Sequence, residues 1–149
     1  MVGKCWEDVN VADKFITAGK TVTESALTIM GGLAGVTEPL FVDEEFARTT
    51  HFKGRIAPGP LTMFMMLGLW QQLGAFSDTA MGLLGFDKVT FTAPVRAGDT
   101  IRVQIELVEK KETSKPDRGV LRWHWICKNQ RGEVVAEMES ANLVRRRNK

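Results

Sequence analysis

Few side chains in this sequence can move a proton near neutral pH. Among 149 residues there are two histidines, His51 and His124, and two cysteines, Cys5 and Cys127. The cysteines stand far apart, without the short spacing of a zinc site, and read as reduced thiols of a cytosolic protein. His51 lies in an irregular stretch ahead of a long apolar segment, where a histidine is either a surface residue or a general base. His124 sits in Trp123-His124-Trp125, and strand alternation puts it on the face opposite the tryptophans. Asp43, Glu44 and Glu45 open the turn EEFAR and read as helix-capping acids. Pro58-Gly59-Pro60 opens the segment 58–76, with Pro60 suited to the first helical position, where its missing N–H costs nothing. There is no GxxxxGK, GxGxxG or GxSxG motif, so neither a phosphate loop nor a nucleophile elbow is expected. No metal and no cofactor is expected.

The elements that must hold these groups follow from periodicity. Residues 13–21 (KFITAGKTV) read as a first strand. Thr23 caps a helix running to Ala34, and Gly31, Gly32 and Gly35 weaken and end it. Residues 35–57 read as mostly irregular, apart from the turn at Asp43. Residues 58–76 carry Leu61, Phe64, Met65, Leu67, Leu69, Trp70 and Leu73 in nearly all directions, and a helix apolar almost all round is buried on most faces. The second half changes period. Residues 88–95, 100–107, 120–128 and 133–144 alternate apolar and polar, as half-buried antiparallel strands do. Turns are signalled at 96–99 (RAGD), 115–119 (KPDRG) and 130–132 (QRG). One buried helix followed by amphipathic strands packs most economically as an α+β domain, a curved antiparallel sheet wrapped around a long central helix. Open sheet edges call for edge-to-edge pairing of two protomers.

Composition fits one soluble domain over residues 1–149. Hydrophobic residues make up 44% and charged residues 26%, and net charge is +2. That charge is too small to imply nucleic acid, and no run of about 20 apolar residues spans a membrane. The N-terminus lacks a signal-peptide core, so a cytoplasmic location is expected. The basic tail, residues 145–149, reads as a solvated tail or as a contact for ligand phosphates or an acidic partner. The cluster Met63, Met65 and Met66 reads as core filling or as an adaptable wall for an acyl chain.

Four segments together resemble the MaoC-like, or R-specific hydratase, branch of the hot-dog superfamily. They are TEPLFVDEEFARTTHFKGRIAPGPL (37–61), KVTFTAPVRAGDTIRV (88–103), KPDRG (115–119) and NQRGEVVAE (129–137). The likeness covers about residues 13–147. It implies a hot-dog fold, a dimer, and a tunnel for the acyl chain of a CoA or carrier-protein thioester. It also implies an Asp/His pair that adds water to, or removes it from, a 2-enoyl thioester, with the carbonyl held by the N–H of the glycine that matches Gly59. The family pattern Gly-Asp-x-Asn-Pro-x-His is here Gly35-Val36-Thr37-Glu38-Pro39-Leu40-Phe41. Val36 stands for the catalytic Asp, Phe41 for the His, Glu38 for the Asn, and Pro58 for the His before the helix glycine. Neither Val nor Phe can carry a proton.

Glu38 and His51 are the candidate substitutes for the lost pair. A loop Glu against apolar neighbours can acquire a raised pKa and act as a base. Val36, Phe41, Arg55, Pro58 and Met63 are the candidate substrate-binding residues. Arg55 is read as a structural bridge, with ligand phosphate as its alternative partner. Three readings result. The first is a hydratase or dehydratase of 2-enoyl or 3-hydroxyacyl thioesters with a non-standard site. The second is a non-catalytic acyl-binding or stabilising subunit, homodimeric or paired with an intact MaoC-like chain. The third, weaker, is a hot-dog thioesterase.

Overall fold

The computed structural model describes residues 3–147; Lys149 of the basic tail lies outside them. A single turn of 3-10 helix at Trp6–Asp8 precedes two short strands, β1 (Lys14–Ile16) and β2 (Lys20–Thr21). Three helices follow: α1 (Glu24–Ala34), α2 (Pro39–Val42) and α3 (Glu44–Thr49). The long helix α4 (Gly59–Gln72) leads into β3 (Ala80–Phe91), β4 (Thr100–Glu112), β5 (Arg118–Lys128) and β6 (Val134–Arg145). All six strands form one antiparallel sheet in the order β1-β4-β5-β6-β3, with β2 also pairing β4.

The alternation in the second half decides which face is wet. Ile101, Val103, Ile105 and Leu107 of β4, and Leu121, Trp123, Trp125 and Cys127 of β5, are all buried at 0–1% exposure. They meet Leu61, Met65, Met66, Leu69 and Trp70 of α4 in one core. Trp70 is the hub, with ring centroids 5.2 Å from Trp123, 5.6 Å from Trp125, 5.3 Å from Phe15 and 5.7 Å from Phe76. The pairs with Phe15 and Trp125 are edge-to-face, a geometry that adds about 0.5–1.5 kcal/mol each beyond the buried area. The polar handle of Trp125 is satisfied inside the core, its Nε1 donating to Ser140 Oγ at 2.9 Å. His124 lies on the outer face, as its register demands, with Nε2 2.7 Å from Glu137 Oε1.

The caps follow the sequence. Thr23 Oγ1 accepts from the Ala26 N–H, and Gly35, left-handed at φ 69°, closes α1. Asp43 Oδ1 accepts from the Phe46 N–H at the start of α3. Four details depart from the sequence reading. The first strand is two: the Thr17 N–H still donates to the Val103 carbonyl of β4 at 2.9 Å, but regular pairing is interrupted before β2 resumes at Lys20. Helix α4 begins at Gly59, so Pro60 occupies its second position. Phe64 on α4 is 59% exposed, so that helix has one apolar face the core does not cover.

The largest departure is β3, which starts at Ala80, eight residues before the Lys88 expected. Gly82, Gly85 and the three register shifts against β6 erase its two-residue period. It has one neighbour, and nearly all its residues are exposed, Met81, Leu83, Leu84, Val89 and Phe91 among them.

The basic tail is not freely solvated. Arg146, 14% exposed at its side chain, bonds Glu7 (3.2 Å) and Glu112 (3.1 Å), and Arg147 pairs with Asp8. Lys110 and Arg146 lie over the Trp6 ring at 4.1 and 4.7 Å. Gly119 makes room for that ring: a Cβ there would come within 2.5 Å of it. This cluster clamps the end of β5 and β6 where Arg118 pairs with Arg145, the opposite end of β6 from Ala136, which pairs with Phe91.

Candidate functional site

Pro58 is the N-cap of α4, and its carbonyl accepts the N–H groups of Leu61 (3.0 Å) and Thr62 (3.2 Å), starting the helix. The Gly59 N–H donates to no described residue, as expected of a first-turn amide. Glycine is required at 59 because Phe91 lies against its Cα. A Cβ there would meet three atoms of the Phe91 ring at 2.6–2.8 Å. The Ala57 N–H donates to the Val95 carbonyl at 2.7 Å, tying the approach to α4 onto the segment after β3.

A cavity of about 270 Å³ opens at this amino end. Its walls are Leu40 and Phe41 of α2, Phe52, Ile56 and Ala57 of the following loop, Gly59 and Thr62 of α4, and residues 91–95. None of these carries a titratable side chain. The two hydroxyls differ in freedom. Thr92 Oγ1 is committed to the Val134 carbonyl at 2.6 Å, whereas Thr62 Oγ1 makes no hydrogen bond to another described residue. The cavity is therefore a largely apolar pocket whose wall includes Gly59, an amide without a partner among the described residues, and one available hydroxyl. Such a place holds a carbonyl oxygen by hydrogen bonding and an acyl chain by burial.

A second cavity, about 220 Å³, shares Phe41 as a wall. Leu27, Thr28, Gly31 and Gly32 of α1 line it, with Val36, Val42 and Arg55. Arg55 is its one ionisable wall, and its charge is already engaged: Nη1 is 2.7 Å from Glu24 and Nε 3.0 Å from Glu44. Those two carboxylates, Glu24 foremost, hold the Arg55 pKa above its ordinary value. The same Arg55 hydrogen bonds depress the Glu44 carboxyl. Arg55 thus ties α1 and α3 to the loop entering α4.

The loop has a second anchor. The Arg96 guanidinium donates to the carbonyls of Arg55 (3.2 Å) and Phe52. The Arg96 N–H in turn donates to Asp99 Oδ2 at 2.9 Å. Burial alone would raise the Asp99 carboxyl. Hydrogen bonds from the Gln130 amide and the Arg96 N–H, with the charge of Arg131, outweigh it and hold the pKa below the usual aspartate value.

The expected site residues divide accordingly. Gly59 and Phe41 line the cavity at the helix end, and Val36, Phe41 and Arg55 line the second. The chain thus brings together the positions matching the family's Asp and His, with apolar side chains at both. Glu38 is exposed at the start of α2 and lines neither cavity. His51 is exposed with its ring centroid 3.9 Å from that of Phe52, on a residue that lines the pocket rather than in the pocket. Pro58 contributes as a cap, and Met63 packs against the core. Sequence reasoning missed Thr62, Phe91 and Arg96. Phe91 and Arg96 belong to the quoted segment 88–103, but nothing in their spacing says they meet residues 52–59.

A third groove, about 430 Å³, lies elsewhere, on the outer face of the sheet between Asp87, Glu109, Lys111 and Arg122. Arg122 is occupied there by Asp87 at 2.7 Å and Glu109 at 3.4 Å. Among the described residues no cluster of His, Cys, Asp or Glu could hold a metal ion, and no helix is long and apolar enough to cross a membrane.

Comparison with known proteins supplies the lineage. The chain is 30% identical over 125 residues to an (R)-specific enoyl-CoA hydratase of Rhodospirillum rubrum, covering 84% of this chain and 81% of that one. A solved structure described as a monoamine oxidase regulatory protein from Archaeoglobus fulgius superposes with a TM-score of 0.93 at 30% identity, over 99% of this chain and 98% of that one. A Mycobacterium tuberculosis protein described as a double hot-dog fold matches with a TM-score of 0.85 at 18% identity. That match covers 99% of this chain and 46% of the other, and shows the fold. The sequence model of the MaoC like domain matches residues 9–123. A helix sheathed by this antiparallel sheet, a pocket at its amino end and those matches carry one conclusion: the chain belongs to the MaoC-like hydratase/dehydratase family of hot-dog proteins.

Proposed function

We propose that this chain binds the acyl group of a CoA or carrier-protein thioester, 2-enoyl or 3-hydroxyacyl in type, and that its own residues do not move water across the double bond. The observation that carries this is the pocket at the amino end of α4: Gly59, whose N–H has no partner among the described residues, is in its wall, and no acid or base lines it. The thioester oxygen accepts from that N–H, and the chain lies against Phe41, Phe52, Ile56 and Phe91. Val36 and Phe41 leave the family's proton-transfer positions without a titratable group. On this reading the protein works in the cytoplasm as an acyl-binding or stabilising subunit. The open edge of β3, with Met81, Leu83 and Leu84 exposed, is suited to pairing with a second hot-dog chain, a copy of itself or one carrying the Asp/His pair.

A second reading keeps the chemistry, with Glu38 and His51 as substitutes. One observation favours it: both lie on the segments that build the pocket, Glu38 next to α2 and His51 stacked on Phe52. Two measurements separate the readings, calorimetric binding of crotonyl-CoA and the loss of its enoyl absorbance. Binding without turnover is the expected result. Turnover that Glu38→Gln or His51→Ala abolishes transfers the conclusion to the second reading, and absence of binding refutes both.

A further inference from the structure

We infer that Phe41 is a partition that limits the length of the acyl chain this protein accepts. The inference rests on the acyl-binding reading and specifies its substrate class. Phe41 is the one residue in the walls of both cavities, the Gly59 pocket and the α1-side cavity. The two are about 270 and 220 Å³, each below the roughly 300 Å³ at which small-molecule pockets begin; joined, they fall within the ordinary range. Phe41 therefore stands where a longer chain would have to pass.

The chemistry of the closed-off cavity suits an alkyl chain. Leu27, Val36 and Val42 are apolar, the Thr28 hydroxyl is committed to the Glu24 carbonyl at 3.0 Å, and Arg55 is neutralised by Glu24 and Glu44. No unsatisfied charge there calls for a polar ligand. The cavity is also open to redesign. A Cβ built at Gly31 or Gly32 meets nothing within 4 Å.

The wild-type protein thus takes short acyl chains, which end against the Phe41 ring. Phe41→Ala joins the cavities and lets longer chains run along α1. Each newly buried methylene then strengthens binding by about fourfold.

The test is calorimetric binding of butyryl-, octanoyl- and dodecanoyl-CoA to the wild-type protein, Phe41→Ala, and Phe41→Ala with Gly31→Leu. Phe41→Leu replaces Phe41→Ala if the alanine variant loses its cooperative thermal transition. The expected result is wild-type affinity that stops rising beyond butyryl-CoA, a gain of at least tenfold for octanoyl-CoA in the Phe41 variant, and loss of that gain when Gly31→Leu fills the cavity. Wild-type affinity that climbs from butyryl- to dodecanoyl-CoA overturns the partition, as does butyryl-CoA binding with no gain in the Phe41 variant; either leaves the acyl-binding reading standing. Failure of every protein to bind any of the three refutes that reading, and the partition with it.

Discussion

Gly59→Ala tests the packing that shapes the mouth of the pocket. The added Cβ would sit 2.6–2.8 Å from the Phe91 ring, inside any real contact distance, so the ring or the start of α4 must shift. Overpacking of this kind costs about 1–3 kcal/mol. Replacing glycine by alanine in a helix returns about 0.5–1 kcal/mol. Because Phe91 is 45% exposed and can swing outward, the net cost lies near the low end, about 1 kcal/mol. For a chain of this length that lowers Tm by roughly 2–4 °C. In a Phe91→Ala background the obstacle is gone, and the same substitution is neutral or stabilising by about 0.5 kcal/mol. The coupling between the two positions is then about 1–1.5 kcal/mol, above the roughly 0.5 kcal/mol within which independent substitutions add. Urea unfolding of the four proteins measures it. An equal cost for Gly59→Ala in both backgrounds would refute the claim that the Phe91 ring is what demands glycine.

Two further outcomes follow from the polar interior. Asp99→Asn, which removes a nearly buried carboxylate bonded to Gln130 and Arg96, destabilises the fold by about 1.5–3 kcal/mol in thermal or urea unfolding. The Asp99 pKa is depressed on folding, so its contribution is complete above the unfolded value near 3.9 and fades as pH falls through the folded one. The gap between wild type and variant should accordingly narrow in acid and stay constant from about pH 5 to 8. Burial pushes the Cys127 thiol up to about 12, so in a Cys5→Ser protein an aromatic disulfide reagent at about pH 8 should label Cys127 only as fast as the chain unfolds. Rapid labelling of the folded protein contradicts the buried placement.

What the sequence determined was whatever is written in local periodicity and short motifs. The strict alternation of Ile101, Val103, Ile105 and Leu107 has one physical solution, a half-buried strand, and the Trp123/Trp125 pair fixed which face of β5 is dry. Thr23, Asp43 and Gly35 marked helix ends because capping needs their chemistry within three residues. The losses at Val36 and Phe41 were likewise plain, since no fold gives those side chains a proton.

Tertiary structure decided everything that depends on distant residues meeting. β3 was half hidden, because an edge strand with bulges and glycines answers to a single neighbour and has no period to show. Arg96 holding the loop at 52–55, Phe91 closing on Gly59, and Arg55 binding Glu24 and Glu44 are contacts between residues far apart in the chain, which no local pattern encodes. The same holds for the site. That Glu38 and His51 line neither cavity while Phe41 lines both depends on how a short helix and a loop pack over α4, a property of the assembled core.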